Sequence, residues 1–104
     1  MDLNKLKEKL KKYKKSEIIF TTHAEIRALG RGIDLEEVKE NIVNPEKLVY
    51  VKKTDVKYNG EEKYECYFAY SKTYCHKYAL ALNRKVIIIT IISINRDWQK
   101  MLRT

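Results

Sequence analysis

Y-E-C-Y-F-A-Y-S-K-T-Y-C-H-K-Y-A-L-A-L-N-R-K-V-I-I-I-T-I-I-S-I, residues 64–94, carries three strand signals in succession. Tyr64, Cys66, Phe68 and Tyr70 alternate along the first stretch, and Tyr74, His76, Tyr78, Leu80 and Leu82 along the second. Side chains two apart on a strand share a face, so each series predicts one side of a pleated strand. Asn83-Arg84 suits the tight turn between the second and the third. Val86–Ile94 is apolar on both faces apart from Thr90 and Ser93, which predicts a buried, central strand. Upstream, Leu48–Lys52 reads as a further strand extending toward Tyr58, and Asn59-Gly60 is a hairpin signal. Four consecutive strands with short links predict an antiparallel meander.

Helical patterns precede and follow it. Leu3, Leu6, Leu10 and Tyr13 form an apolar stripe through residues 2–14, with lysines over the remainder. That pattern fits a helix docked on a core, a basic arm for RNA or a partner, or, less well, a membrane-surface helix. Ile18-Ile19-Phe20 reads as a brief strand. A helix is expected from Thr22, with Thr22 and Glu25 as a capping box and Gly30 as its left-handed terminus. Asp34 and Glu37 form a second box, with Ile33 and Val38 as a hydrophobic staple and Leu35, Val38 and Ile42 facing inward. Asn44-Pro45 ends that helix. Asn95 is expected to cap a short C-terminal helix that buries Trp98, Met101 and Leu102. The expectation is an α+β, two-layer domain over residues 1–104. In it the helices pack on one face of a four-stranded, mainly antiparallel sheet, with an added N-terminal amphipathic helix and a short C-terminal one.

At 104 residues, 44% hydrophobic and 35% charged, the chain has the composition of a single globular domain. No apolar run reaches the ~18 residues of a membrane span, and no signal-peptide pattern follows the N-terminal lysines, so a cytoplasmic location is expected. Cys66 and Cys75 lack metal-ligand spacing and read as reduced thiols, although paired neighbouring strands would permit a disulfide. Scarce glycine and proline with abundant Lys, Glu, Ile and Tyr resemble a heat-adapted composition, or equally an AT-rich genome.

The net charge of +8 is unevenly spread. Residues 1–15 hold seven lysines against two acids, a net +5; residues 84–104 hold five basic residues against one acid, a net +4; residues 33–65 are at −3. Basic chain ends suit a polyanion, and an acidic protein equally well.

His23, Arg27 and Arg31 recur at four-residue spacing, which places them on one helix face. A neutral imidazole can take the proton of a ribose 2′-hydroxyl, and guanidiniums stabilise the charge that develops on the attacked phosphate. The same residues could instead cap the helix and pair with Glu25 or Glu36. His76 is a second candidate, either as catalytic partner or as a half-buried histidine among aromatics. Tyr64, Tyr67, Tyr70, Tyr74 and Tyr78, among eight tyrosines, could stack on bases or simply pack a sheet. Tyr70, His76, Arg84, Lys85 and Arg96 are therefore candidate RNA contacts, the cations with Lys100 and Arg103 forming a basic rim or a solvated face. Two histidines with no carboxylate or cysteine cluster predict no metal site and no cofactor. Phosphate-cradling glycine loops and nucleophile elbows are missing from the sequence, which removes nucleotide-dependent and hydrolase-triad chemistry.

The string F-T-x-H-A-x-x-R-x-x-x-R-G-I, followed by a capped helix and N-P-E, resembles a small prokaryotic domain family grouped with the RelE and BrnT type II toxins. The matching residues are Phe20, Thr21, His23, Ala24, Arg27, Arg31, Gly32, Ile33, Asn44, Pro45 and Glu46, and the likeness extends over about residues 18–94. The resemblance implies a RelE-like fold and a metal-independent endoribonuclease that cuts RNA, free or ribosome-bound, by 2′-hydroxyl attack. It implies silencing by an acidic antitoxin, with His23, Arg27 and Arg31 as the motif positions. A homodimer is among the assemblies this leaves open, as is a catalytically inactive RNA-binding or protein-interaction module of the same fold.

Overall fold

A computed structural model describes residues 2–54, Lys57 and residues 60–102, apart from the side chain of Met101. Asn59, the stretch toward Tyr58, Arg103 and the burial of Met101 thus lie outside the described residues. The elements run α1 (Leu3–Lys11), β1 (Ile18–Phe20), α2 (Thr22–Gly30), α3 (Leu35–Val43), β2 (Leu48–Lys53), β3 (Lys63–Ala69), β4 (Cys75–Leu82), β5 (Val86–Ile94) and α4 (Trp98–Leu102). Short 3₁₀ turns at Lys15–Glu17 and Pro45–Lys47 lead into β1 and β2.

The fold is α+β, but the sheet has five strands rather than four and is mixed. Its order is β1-β5-β4-β3-β2; β2 through β5 pair antiparallel, while β1 joins the far edge parallel to β5. β4, rather than β5, is the middle strand. Only Ile18–Phe20 pair with Val86–Ile88, so β1 flanks just the first third of β5 and α2 runs beside the rest. The three-residue apolar segment is an edge strand because its amides find partners only on β5.

α1, α2 and α3 close one sheet face. Leu6, Leu10, Ala24, Ala28, Val38 and Ile42 pack there against Ile18, Leu48, Cys66, Phe68, Tyr78, Leu80, Val86, Ile88 and Ile91. The amphipathic α1 is therefore part of the core. Leu6 and Leu10 are fully buried, Asp2 accepts from the Lys5 amide at 2.9 Å, and the Tyr13 hydroxyl donates to the Asn83 carbonyl at 2.6 Å. In this packing α1 is a docked helix rather than a free arm, because its apolar stripe is occupied by the core.

Not all helices share that face. Trp98 of α4 packs on the opposite side with Tyr67, Cys75 and Ile94, and its indole N–H donates to the Ser71 carbonyl at 2.8 Å. Asp97, not Asn95, caps α4, accepting from the Gln99 amide at 3.1 Å. Cys66 and Cys75 point to opposite faces, Cys66 sitting across from Tyr78 and Cys75 across from Ala69, so no disulfide can join them. Burial pushes the Cys75 thiol up to about 11 and the Cys66 thiol higher still, so both stay protonated at neutral pH.

Two helix ends differ from the expected ones by one or two residues, and both shifts position the site. The N-cap of α2 is Thr21: its Oγ1 accepts from the Ala24 amide at 3.1 Å and donates to the Ile89 carbonyl at 2.9 Å. Ile89 is the extra residue of a bulge, because Ala79 faces Thr90 while Leu80 faces Ile88. At the other end Gly30 remains helical, and Gly32 takes the left-handed conformation at φ 66°. The Ile33 amide donates to Ala28 at 2.9 Å and the Gly32 amide to Leu29 at 3.3 Å, a Schellman closure that leaves Arg31 as the helix cap.

Candidate functional site

His23, Arg27 and Arg31 lie on one flank of α2. At 100° per residue they fall within about 80° of one another, beside the inward pair Ala24 and Ala28. All three are exposed, and among the described residues none of the three side chains has a hydrogen-bond or ion-pair partner. The row spans about 12 Å along the helix axis, since each residue rises about 1.5 Å.

Arg31 ends that row at a cleft of 290 Å³, lined also by Lys77, Ile92, Ser93, Asn95 and Arg96. Arg31 comes from the α2 cap, Lys77 from β4, and Arg96 from the link between β5 and α4. The Lys77 ammonium is held 3.3 Å from Glu65 and 5.6 Å from the centre of the Tyr67 ring, which neutralises and orients it. Arg31 and Arg96 have no carboxylate within ion-pair distance among the described residues. Two unpaired guanidiniums at one small cleft can donate to phosphate oxygens, since each presents its donors in a planar fork.

Arg84 and Lys85 stand elsewhere. They occupy the β4–β5 turn, where the Lys85 amide donates to Asn83 Oδ1 at 2.9 Å, and they border a hollow of 460 Å³ with Ile19 and Ile87. The nine-residue β5 separates that turn from Arg96, about 26 Å at ~3.3 Å per residue. Arg84 and Lys85 therefore form one patch and Arg96 belongs to another, rather than all three sharing one rim.

His76 is built into the interior, and Tyr70 is partly buried beside it. His76 is 1% exposed and lies on the helix-covered face. Its Nδ1 is 2.7 Å from the Tyr78 hydroxyl and its Nε2 3.0 Å from the Tyr74 hydroxyl. The Asn41 amide donates to both the Tyr78 and Tyr70 hydroxyls, at 3.0 and 2.9 Å, and the Tyr70 hydroxyl donates to Glu37 at 2.6 Å. Tyr78 accepts from Asn41, so full pairing has it donate to Nδ1 and leaves the proton on Nε2, directed at Tyr74. The result is a polar chain from Glu37 to Tyr74 whose middle members, Asn41, Tyr78 and His76, are buried. Burial, with the Glu37 carboxylate beside it, pushes the Tyr70 phenol up to about 12. Of the crowded tyrosines, Tyr64, Tyr67 and Tyr78 are buried, and only Tyr70 and Tyr74 are partly open. Glu37 thus serves Tyr70 rather than a capping box.

Burial lowers the His76 pKa, opposed only in part by the Glu37 charge. A second proton on the ring would also make Nδ1 a donor and leave the Tyr78 hydroxyl without an acceptor. The unfolded chain then binds the proton more readily than the folded one. Stability is full above about pH 6.5, the unfolded histidine value, and falls as pH drops below it toward the folded value. The slope is at most about 1.4 kcal/mol per pH unit. Urea unfolding between pH 8 and pH 5 should show this loss, and His76→Gln should flatten it; an equal slope in the variant would assign the loss to other groups.

Lys77, Glu65 and Asn41, which links Tyr70 to Tyr78, are site features that the sequence reading did not single out. The alternation that puts Tyr74, His76 and Tyr78 on one face of β4 puts Cys75, Lys77 and Ala79 on the other, and that was the available signal for Lys77. Comparison with protein-family models, with curated proteins and with solved structures gives no match.

Proposed function

We propose that this chain is an RNA-directed protein of RelE/BrnT-like toxin type, holding RNA phosphates between Arg31 and Arg96. One observation carries the reading: two arginines 65 positions apart in sequence, neither with an anionic partner among the described residues, meet at one cleft that continues the His23–Arg27 row. A RelE-like arrangement of helices and sheet is part of this proposal.

The chemistry that fits the row is metal-independent cleavage. The His23 imidazole takes the proton from a ribose 2′-hydroxyl, and the 2′ oxygen forms a bond to the adjacent phosphorus. The P–O5′ bond breaks, and the departing 5′ oxygen takes a proton from water. The products are a 2′,3′-cyclic phosphate and a 5′-hydroxyl. Arg27 and Arg31 stabilise the negative charge of the transition state. An acidic antitoxin segment would compete for the same cations.

The second reading is a non-catalytic RNA-binding module, favoured by one specific feature: His23 has no orienting partner among the described residues, whereas His76, which has two, is sealed in the core. Incubation of 5′-labelled RNA with the protein in EDTA, with and without ribosomes, separates the two. Cleavage to cyclic-phosphate ends, lost in His23→Ala at unchanged thermal stability, is the expected result. Salt-dependent binding without cleavage would assign the module instead.

A further inference from the structure

We infer that the outer face of α1 is a second RNA-backbone contact, separate from the Arg31–Arg96 cleft; this rests on the RNA-directed reading above. Lys5, Lys9 and Lys12 fall within about 60° on the helix and span about 10 Å along its axis. They border an open groove of 620 Å³ with Asn4, Glu8 and Tyr13. Glu8 is the groove's one carboxylate, and it is turned to Lys11 at 3.3 Å. Lys5, Lys9 and Lys12 have no acidic partner among the described residues, so their charge is unneutralised.

The row is also fixed in place. Leu6 and Leu10, about a third of a turn round α1 from the lysine row, are fully buried, and Tyr13 ties the helix end to Asn83. A lysine row on a docked helix loses little backbone entropy on binding, unlike a basic tail that must first be ordered. The same docking argues for a polyanion rather than a membrane, because Leu6 and Leu10 are already buried in the core while the cations bordering the groove stay unneutralised. A line of point charges suits a phosphate backbone, whose affinity comes from counterion release and carries no sequence preference. The cleft would then set where RNA is handled, and α1 how firmly the strand is held.

The test is binding of a labelled single-stranded RNA to the full chain across a potassium chloride series, for the wild type and for K5Q/K9Q/K12Q. Glutamine keeps helix propensity, and exposed substitutions leave the core intact. Loss of three phosphate contacts should lower the slope of log affinity against log salt by about two, and the affinity at 0.1 M salt by roughly 10²-fold. An unchanged slope in the variant, with wild-type binding intact, overturns the α1 contact and leaves the RNA-directed reading standing. No binding by the wild type even at low salt overturns both. Variant-sensitive binding to anionic lipid vesicles or to an acidic protein, with the RNA slope unchanged, also overturns it.

Discussion

Leu10→Ala is expected to destabilise the protein by about 2–5 kcal/mol, and removal of residues 1–15 to abolish cooperative unfolding. Leu10 and Leu6 have no solvent exposure and share one cluster with Ile42, Leu48 and Val51. Replacing Leu10 removes buried methyl groups and leaves a cavity between α1, α3 and β2 that fixed neighbours cannot refill. A domain of this size has a total stability of about 5–15 kcal/mol, so a single such change consumes a large share of it. Deletion of the whole segment removes Leu3, Leu6, Leu10 and Tyr13 together and opens that side of the core to water. Were α1 a surface arm, either change would cost less than about 0.5 kcal/mol. Denaturant unfolding followed by circular dichroism checks both. Truncation is consequently no probe of RNA binding in this chain, and charge substitutions are needed to ask that question.

Much of the architecture was legible because its elements carry strong periodic signals. The alternation in Tyr74–Leu82 placed His76 on the face of Tyr74 and Tyr78, and the hydrogen bonds of His76 run to those two residues. The stripe of α1 and the start of α3 at Asp34 were readable for the same reason. What escaped the sequence is mostly non-local. Three residues, Ile18–Phe20, cannot declare which strand they join, since parallel pairing to β5 depends on a segment about 70 residues away. The bulge at Ile89 is invisible within a uniform run of isoleucines, yet it seats the Thr21 cap and so sets where α2 begins. At the end of α2, Gly30 and Gly32 compete for the left-handed position, and the burial of Ile33 decides for Gly32 by closing onto Ala28. α4 went to the second face because Tyr67, Cys75 and Ile94 form an apolar patch there that needs cover.

The candidate site was legible in part. The His23–Arg27–Arg31 spacing survives as one exposed flank because the inward positions Ala24 and Ala28 are small and let α2 lie close against β5. Joining Arg31 to Arg96 required the fold, since their proximity comes from α2 ending beside the exit of β5. Lys77 alone is an ordinary strand residue, and only the fold brings Arg31 and Arg96 to the same cleft.

Arg31→Gln with Arg96→Gln is expected to have the largest functional effect. Both side chains are exposed and unpaired among the described residues, so their replacement leaves the core untouched. Each guanidinium contributes charge-assisted hydrogen bonds of about 1.5–3 kcal/mol to a phosphate. Losing two should reduce RNA affinity by at least roughly a hundredfold, at about 1.4 kcal/mol for each factor of ten. Lys77 cannot compensate, because Glu65 already holds its charge. The most direct measurement is therefore the affinity of the wild type and of R31Q/R96Q for one labelled RNA at fixed salt, with thermal unfolding of both proteins recorded alongside. The account predicts the hundredfold loss at an unchanged melting temperature. Equal affinity in the two proteins would contradict it and leave the cleft without a role in RNA recognition.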